Sequence, residues 1–259
     1  MVAIPNDLET GLLQPKNVRL TAAVEVKPMR YADIPKAARS SCNAIRDVDL
    51  NHYFEDVPVC LLLRLIMVFS HHQLEFYPQN AGSPSFRERR QKIILSLNYG
   101  NAIRRHQALT VDRGEANCDF GPAKESPDVI DKIVDYIVRC LRVFTTDEQR
   151  KRRQEFSMKV SALVRSALGD RVADMIEIHS LATSPAKQGR GYGSALADAE
   201  GRATWLITSD AYKFYESVGF SVAAACTLGE DNPTWNKPPI VIRVMVREAH
   251  GERQQSEKS

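Results

Sequence analysis

No apolar run in this 259-residue sequence is long enough to cross a bilayer. The most apolar stretch, residues 57–69, is too short and carries Arg64, and Met1 to Leu13 lack the basic start and apolar core of a leader. Charge of one sign is equally scarce. Lys and Arg number 35 against 32 Asp and Glu, a net of +3, which excludes the global basic field of a nucleic-acid binder. The densest basic run, Arg150 to Arg153, lies among Asp147, Glu148 and Glu155 and reads as a solvated helix face. Cysteine is sparse, with no CxxC pair. Cys42, Cys60, Cys118, Cys140 and Cys226 are odd in number and widely spaced, so neither a disulfide framework nor a metal site is expected. Free thiols without a leader or membrane span point to a soluble intracellular protein, in the cytoplasm or the nucleus.

What is present is the composition of a folded globular chain, with 43% apolar and 26% charged residues. A flexible lead over residues 1–21 precedes a strand-like run at Ala22 to Val26. Asp33 then caps a helix with Pro35 in its first turn, ending near Ile45. Residues 46–122 are irregular and contain the apolar run, His71 and His72, and a loop with Pro78, Gly82 and Pro84. A helix is expected over Arg87 to Tyr99 and a strand over Gln107 to Val111, before a turn at Asp112, Arg113 and Gly114.

Beyond Ser126 the periodicity sharpens. Ser126 as cap, Pro127, and Ile130, Ile133, Val134, Ile137, Val138, Leu141 and Phe144 at helical spacing predict an amphipathic helix with a packing stripe. Thr146 and Gln149 form a capping box for a second helix, whose stripe is Phe156, Val160, Leu163, Val164 and Ala167 and whose stop is Gly169. Strands follow over Met175 to Thr183, Ala203 to Ser209, Ser221 to Leu228 and Ile240 to Arg247, with short helices at Ser194 to Glu200 and Ala211 to Val218. This order implies an α/β (α+β) fold with a mixed sheet flanked by helices. Residues 249–259 read as a disordered tail.

Gln188, Gly189, Arg190, Gly191, Tyr192 and Gly193 follow a strand and open a helix. Glycines there allow close backbone approach, and unpaired N–H groups favour an anion such as a pyrophosphate. A plain tight turn reads the same way, and neither the Walker pattern nor the dinucleotide fingerprint matches. Two features narrow the choice. Gln188, Gly191 and Gly193 fit the pyrophosphate loop of the GNAT acetyltransferases, with Leu181, Ala182, Thr183 and Pro185 before it. Ala211, Phe214, Tyr215, Glu216, Gly219 and Phe220 fit that superfamily's second signature. Residues 22–248 thus resemble a GNAT domain, strongly over 172–247, with residues 46–170 a divergent, helix-rich insertion.

The resemblance implies a mostly antiparallel sheet and an enzyme that transfers an acetyl group from acetyl-CoA to a primary amine, small molecule or protein, by direct attack in a ternary complex. It implies no metal. Backbone groups of Leu181, Ala182 and Thr183 are expected to pair with the pantetheine arm. Residues Gln188, Gly189, Arg190, Gly191, Tyr192, Gly193 and Ser194 are expected to cradle the pyrophosphate, with Ser209 nearby. Tyr215 is the expected acid toward the leaving thiolate, since a phenol of pKa about 10 keeps its proton at neutral pH. Glu177 is the first candidate base and His179 the second; either also reads as a polar residue at a sheet edge. Trp235, in the loop 229–239, reads as an acceptor-site wall or as a loop anchor.

Two departures stand out. The helix after the glycine loop is cut to seven residues, about 10 Å, where a crossover of a dozen residues or so is usual. Glu115, Asn117 and Asp119 make a poor buried strand at 107–120. A second expectation follows: a degenerate relative that binds CoA weakly or serves as an interaction module through its long helices.

Overall fold

The computed structural model describes residues 24–56, 84–123, 125–141, 146–199 and 201–249. The apolar run 57–69, His71, His72, Pro78, Gly82, Cys60, Phe144, the lead and the tail lie outside them.

Among the described residues, seven strands form one sheet. They are β1 (Lys27–Pro28), β2 (Ala108–Val111), β3 (Ala116–Pro122), β4 (Ile176–Thr183), β5 (Thr204–Thr208), β6 (Ser221–Leu228) and β7 (Ile240–Arg247), in the spatial order β1-β2-β3-β4-β5-β7-β6. Only β4 and β5 pair in parallel; the other five pairings are antiparallel, so the expected mixed and mostly antiparallel sheet is what forms.

The expected opening strand is displaced. Residues 24–26 are not paired, and β1 is the dipeptide Lys27–Pro28 at the sheet edge, where a proline lacking its N–H is tolerated. Val24 and Val26 pack on the core instead. The hairpin β2–β3 forms despite its polar residues, because each is satisfied. Asn117, fully buried, accepts from Thr110 Oγ1 at 3.1 Å and donates to the Gly114 carbonyl at 3.2 Å.

Helices cover both faces. α1 (Ile34–Ala44) and α3 (Pro84–Arg104) pack together on the β1–β4 half around Met29, Ala37, Tyr99 and Ala108. α2 (Asp49–Glu55) and α5 (Asp147–Leu168) cover the β5–β7 half of the same face, burying Tyr53, Val160, Leu168, Trp205, Trp235 and Val244. α6 (Tyr192–Asp198) and α7 (Tyr212–Ser217) close the opposite face over Val111, Phe120, Ile178, Leu206, Phe220 and Met245. The alternation Val244, Met245, Val246 along β7 divides the two cores.

α5 starts and stops as expected. Thr146 and Gln149 cap each other at 3.2 and 3.0 Å, and Gly169, at φ +53°, ends the helix. α4 (Val129–Leu141) differs from expectation. Its cap is Asp128 rather than Ser126: the carboxylates of Asp128 and Asp131 accept from each other's backbone N–H at 2.9 and 2.7 Å. Only part of its stripe packs: Val138 is buried and Val134 and Leu141 are half-buried, the helix lying against α3, whereas Ile130, Ile133 and Ile137 are exposed.

The short crossover does not leave the sheet incomplete. α6 has seven residues, yet the return from Thr183 to Thr204 is shared with a helical turn at Pro185–Lys187 and the glycine loop before α6. Such a connection suffices because β4 and β5 run together for only three residue pairs.

Candidate active site

The three-residue parallel ladder has a chemical consequence. β4 meets β5 at Ile176–Ile178 and Thr204–Leu206; beyond that, β4 continues to Thr183 against β3 alone and β5 to Thr208 against β7 alone. The sheet forks. Among the described residues no strand meets the peptide groups of residues 179–183 that point toward β5, the arrangement that an extended ligand backbone can complete.

His179 stands at the fork. Asp119 pairs with Ser180 and Phe120 with Ile178, so His179 is the extra residue of a bulge in β4. Bulges re-aim side chains next to functional sites. Glu177, half-buried, precedes it, and its Oε1 lies 3.6 Å from His179 Nδ1. Burial alone lowers the pKa of His179. The Glu177 carboxylate and the charge of Asp119 outweigh that and leave it raised, so the imidazolium is favoured.

Behind this pair lies a polar cluster. Asp119 accepts from the Ser180 hydroxyl. Burial pushes the Asp119 carboxyl up, opposed by the Ser180 hydrogen bond and by the charge of His179. Tyr99 of α3 shares a 2.7 Å hydrogen bond with Ser41 of α1, and the charge of Asp119 adds to burial in raising its pKa. Sequence reasoning missed Ser41, Tyr99 and Asp119 as neighbours of the site. The only signal was an acid in a strand that otherwise had to be buried.

Tyr215 occupies the other face. It is 7% exposed, packed edge-on against Phe214 and Phe220 at 5.1 and 5.6 Å, and belongs to the core cluster that holds Ile178 and Leu206, the last pair before the fork. Burial, reinforced by nearby Cys118, raises its pKa, so the phenol stays protonated. The fork thus lies between a phenol on one face and a carboxylate with an imidazole on the other.

At the open end of β4, Gln188 donates through its side chain to the Thr183 carbonyl at 3.4 Å. Gly189 and Gly191 adopt φ of +72° and +78°, a region that side chains disfavour. Arg190 is exposed beside them. Tyr192, Gly193 and Ser194 form the first turn of α6, whose N–H groups have no intrahelical acceptor. Gly193 differs from its neighbours: a Cβ there would sit 3.1 Å from Phe214 and 3.5 Å from Leu181, so it is glycine for packing. Leu181 and Ala182 are largely buried, Thr183 half so. Ser209, at the end of β5, is buried, and its carbonyl accepts from Arg243 at 2.9 Å. Among the described residues no three His, Cys, Asp or Glu side chains gather as metal ligands.

Trp235 is an anchor. Its indole donates to the Pro238 carbonyl at 3.0 Å and its ring meets Tyr53 edge-on at 5.1 Å. The run Arg150 to Arg153 is not one solvated face: Arg150 is exposed, Arg153 is half-buried against Phe54, and Arg152 is 0% exposed.

Residues 134–222 match a family model described as an acetyltransferase (GNAT) domain. The match holds both motif stretches, the glycine loop and the segment from Ala211 to Phe220. No curated protein matches the chain. Among solved structures it is similar to arylalkylamine N-acetyltransferase 2 from Aedes aegypti, at 10% identity over 87% of this chain and 99% of that one, TM-score 0.45. It is similar to a structure described as histone acetyltransferase and related acetyltransferase from Corynebacterium glutamicum, at 16% over 87% and 96%, TM-score 0.41. A polyamine N-acetyltransferase from Drosophila melanogaster follows at 14% over 78% and 97%, TM-score 0.39. At these values the fold rests on the chain's own sheet.

Proposed function

We propose, from the match of residues 134–222 to a GNAT acetyltransferase domain, that the chain transfers an acetyl group from acetyl-CoA to a primary amine. The observation that carries the reading is the fork between β4 and β5, opening beside a glycine loop and flanked by Tyr215 on one face and Glu177 on the other.

The residues fit the donor. Backbone groups of Leu181, Ala182 and Thr183 extend the fork's free edge and pair with the pantetheine arm as an added strand does. The N–H groups of residues 188–194 face the pyrophosphate, and Ser209 ends the fork's second prong. Acetyl-CoA supplies the thioester. Glu177 takes the proton that an ammonium acceptor must lose before it attacks, directly or through one water. His179, with its Nδ1 3.6 Å from Glu177, orients that carboxylate and is the second candidate base. Tyr215 donates its proton to the departing sulfur.

Calorimetric titration with acetyl-CoA tests the donor site. Wild-type protein binds, and Gly191→Asp, which sets a side chain and a negative charge in the loop, does not. Tyr215→Phe and Glu177→Gln keep donor affinity but lose about 100-fold or more in turnover on an amine panel. Absence of binding by the wild type sinks the reading. A second reading, a non-catalytic relative acting through contacts, then leads, drawing on the exposed apolar side chains of α4.

A further inference from the structure

A cleft of about 800 Å³ lies between the end of α1, α2 and the first half of α3. Its volume is that of a small-molecule site. Its described lining has two characters. Ile45, Val48, Leu50, Phe54, Ile94 and Leu95 supply an apolar wall, and Arg46, Arg87, Arg90 and Arg153 bring four guanidinium groups to it.

The acids do not balance these arginines. Glu88 is engaged by Lys92 at 2.5 Å, and Asp56 by His52 and Lys237 at 3.0 and 3.3 Å. Among the described residues Glu55 forms ion pairs with Arg90 at 3.0 Å and Arg153 at 2.8 Å, and the charge of Arg46 also acts on Glu88. Arg153 is further fixed over the Phe54 ring at 4.9 Å, and Arg90 is 8% exposed. Among the described residues, Arg87 donates to the Glu55 carbonyl at 3.3 Å and Arg46 to the Asn43 side chain at 3.2 Å. Neither has a carboxylate within ion-pair distance among the described residues. A guanidinium is planar and multidentate, suited to a small oxyanion, and a concave, partly apolar setting strengthens its pull.

We propose that this cleft binds an organic anion with an apolar body, the acidic group on Arg87 and Arg46 and the body against Ile45, Val48, Leu50 and Ile94. The site does not depend on acyl transfer. α2 also ties it to the rest of the molecule, since the Asp49 N–H donates to Asp210, just past β5, at 3.2 Å.

The test is calorimetry on the full-length chain with two probes of equal body and opposite charge, 3-phenylpropanoate and 3-phenylpropylamine. The carboxylate binds and weakens with added salt, and the amine does not bind. Arg87→Met and Arg46→Met each weaken the carboxylate about tenfold or more, the scale of a charge-assisted hydrogen bond. Arg139→Met, on α4, leaves it unchanged, and thermal melts establish that the variants are folded. Equal binding of both probes, no binding of the carboxylate, or an affinity indifferent to Arg87 and Arg46 overturns the proposal. Acetyl-CoA affinity measured on the same samples reads the donor site separately.

Discussion

Single residues decide how charge is held in this protein. His179 is pulled two ways, by burial that favours the neutral ring and by Glu177 and Asp119 that favour the charged one, and the acids win. A raised folded-state pKa means that the stabilisation is present in full below the unfolded value near 6.5 and fades as pH rises through the folded midpoint. A proton NMR titration of the His179 ring should therefore give a midpoint above 6.5, and Glu177→Gln should lower it. A midpoint at or below the unfolded value removes His179 from its assigned role. Arg152 holds the opposite kind of position, with no exposed surface. It donates to Glu148, to the carbonyls of Tyr53, Asp56 and Thr234, and lies over the Tyr53 and Trp235 rings at 5.0 and 5.4 Å. Arg152→Met strands three carbonyls and a carboxylate, and a loss of about 3–5 kcal/mol in urea unfolding is expected. A loss under about 1 kcal/mol means that water replaces the guanidinium. The basic run around Arg152 looks solvated in sequence because neighbouring charges on a helix say nothing about which one points at a partner loop 82 residues away.

At the scale of elements, α5 is closed at its start by a reciprocal cap, and its value can be measured alone. Thr146→Ala removes the acceptor for the Gln149 N–H and is expected to cost about 1 kcal/mol, read from the denaturant midpoint at unchanged slope. An effect near zero means that Gln149 N–H has found water at no cost. Caps of this kind are local chemistry, which is why α5, β6 and β7 could be placed from sequence to within a residue or so. The misreadings have another cause. The β2–β3 hairpin looked unfit for burial because Asn117 and Asp119 are polar, yet their partners are Thr110 of β2, Gly114 of the turn and Ser180 of β4, which only the folded sheet sets against them. The crossover looked too short because sequence shows the length of a strand but not how much of it pairs. The α4 stripe is strictly periodic, and periodicity states that a face is apolar without stating what lies against it. The candidate site shows the same division. Gln188, Gly189, Gly191 and Tyr215 carry local signatures, whereas the bulge at His179, the ion pair with Glu177 and the half-buried Asp119 behind it exist only once β3 lies beside β4.

For the molecule as a whole, the fork makes stability uneven. Among the described residues, 180–183 are paired with β3 alone, while β7 is flanked on both sides by β5 and β6. Backbone hydrogen bonds next to a gap open more readily than those in a sheet interior. A donor that completes the gap must bind the folded chain alone, so at a hundred times its dissociation constant it adds about 2.7 kcal/mol to unfolding. That gain should be localised. Hydrogen exchange with saturating acetyl-CoA should slow at residues 179–183 and 188–194, leave β7 and α4 unchanged, and show neither effect in Gly191→Asp. Uniform protection across all strands instead points to general stabilisation without a defined seat. Protection confined to the cleft between α1, α2 and α3, with the fork unaffected, places the acidic cosubstrate in the arginine-lined site and removes the fork from the mechanism.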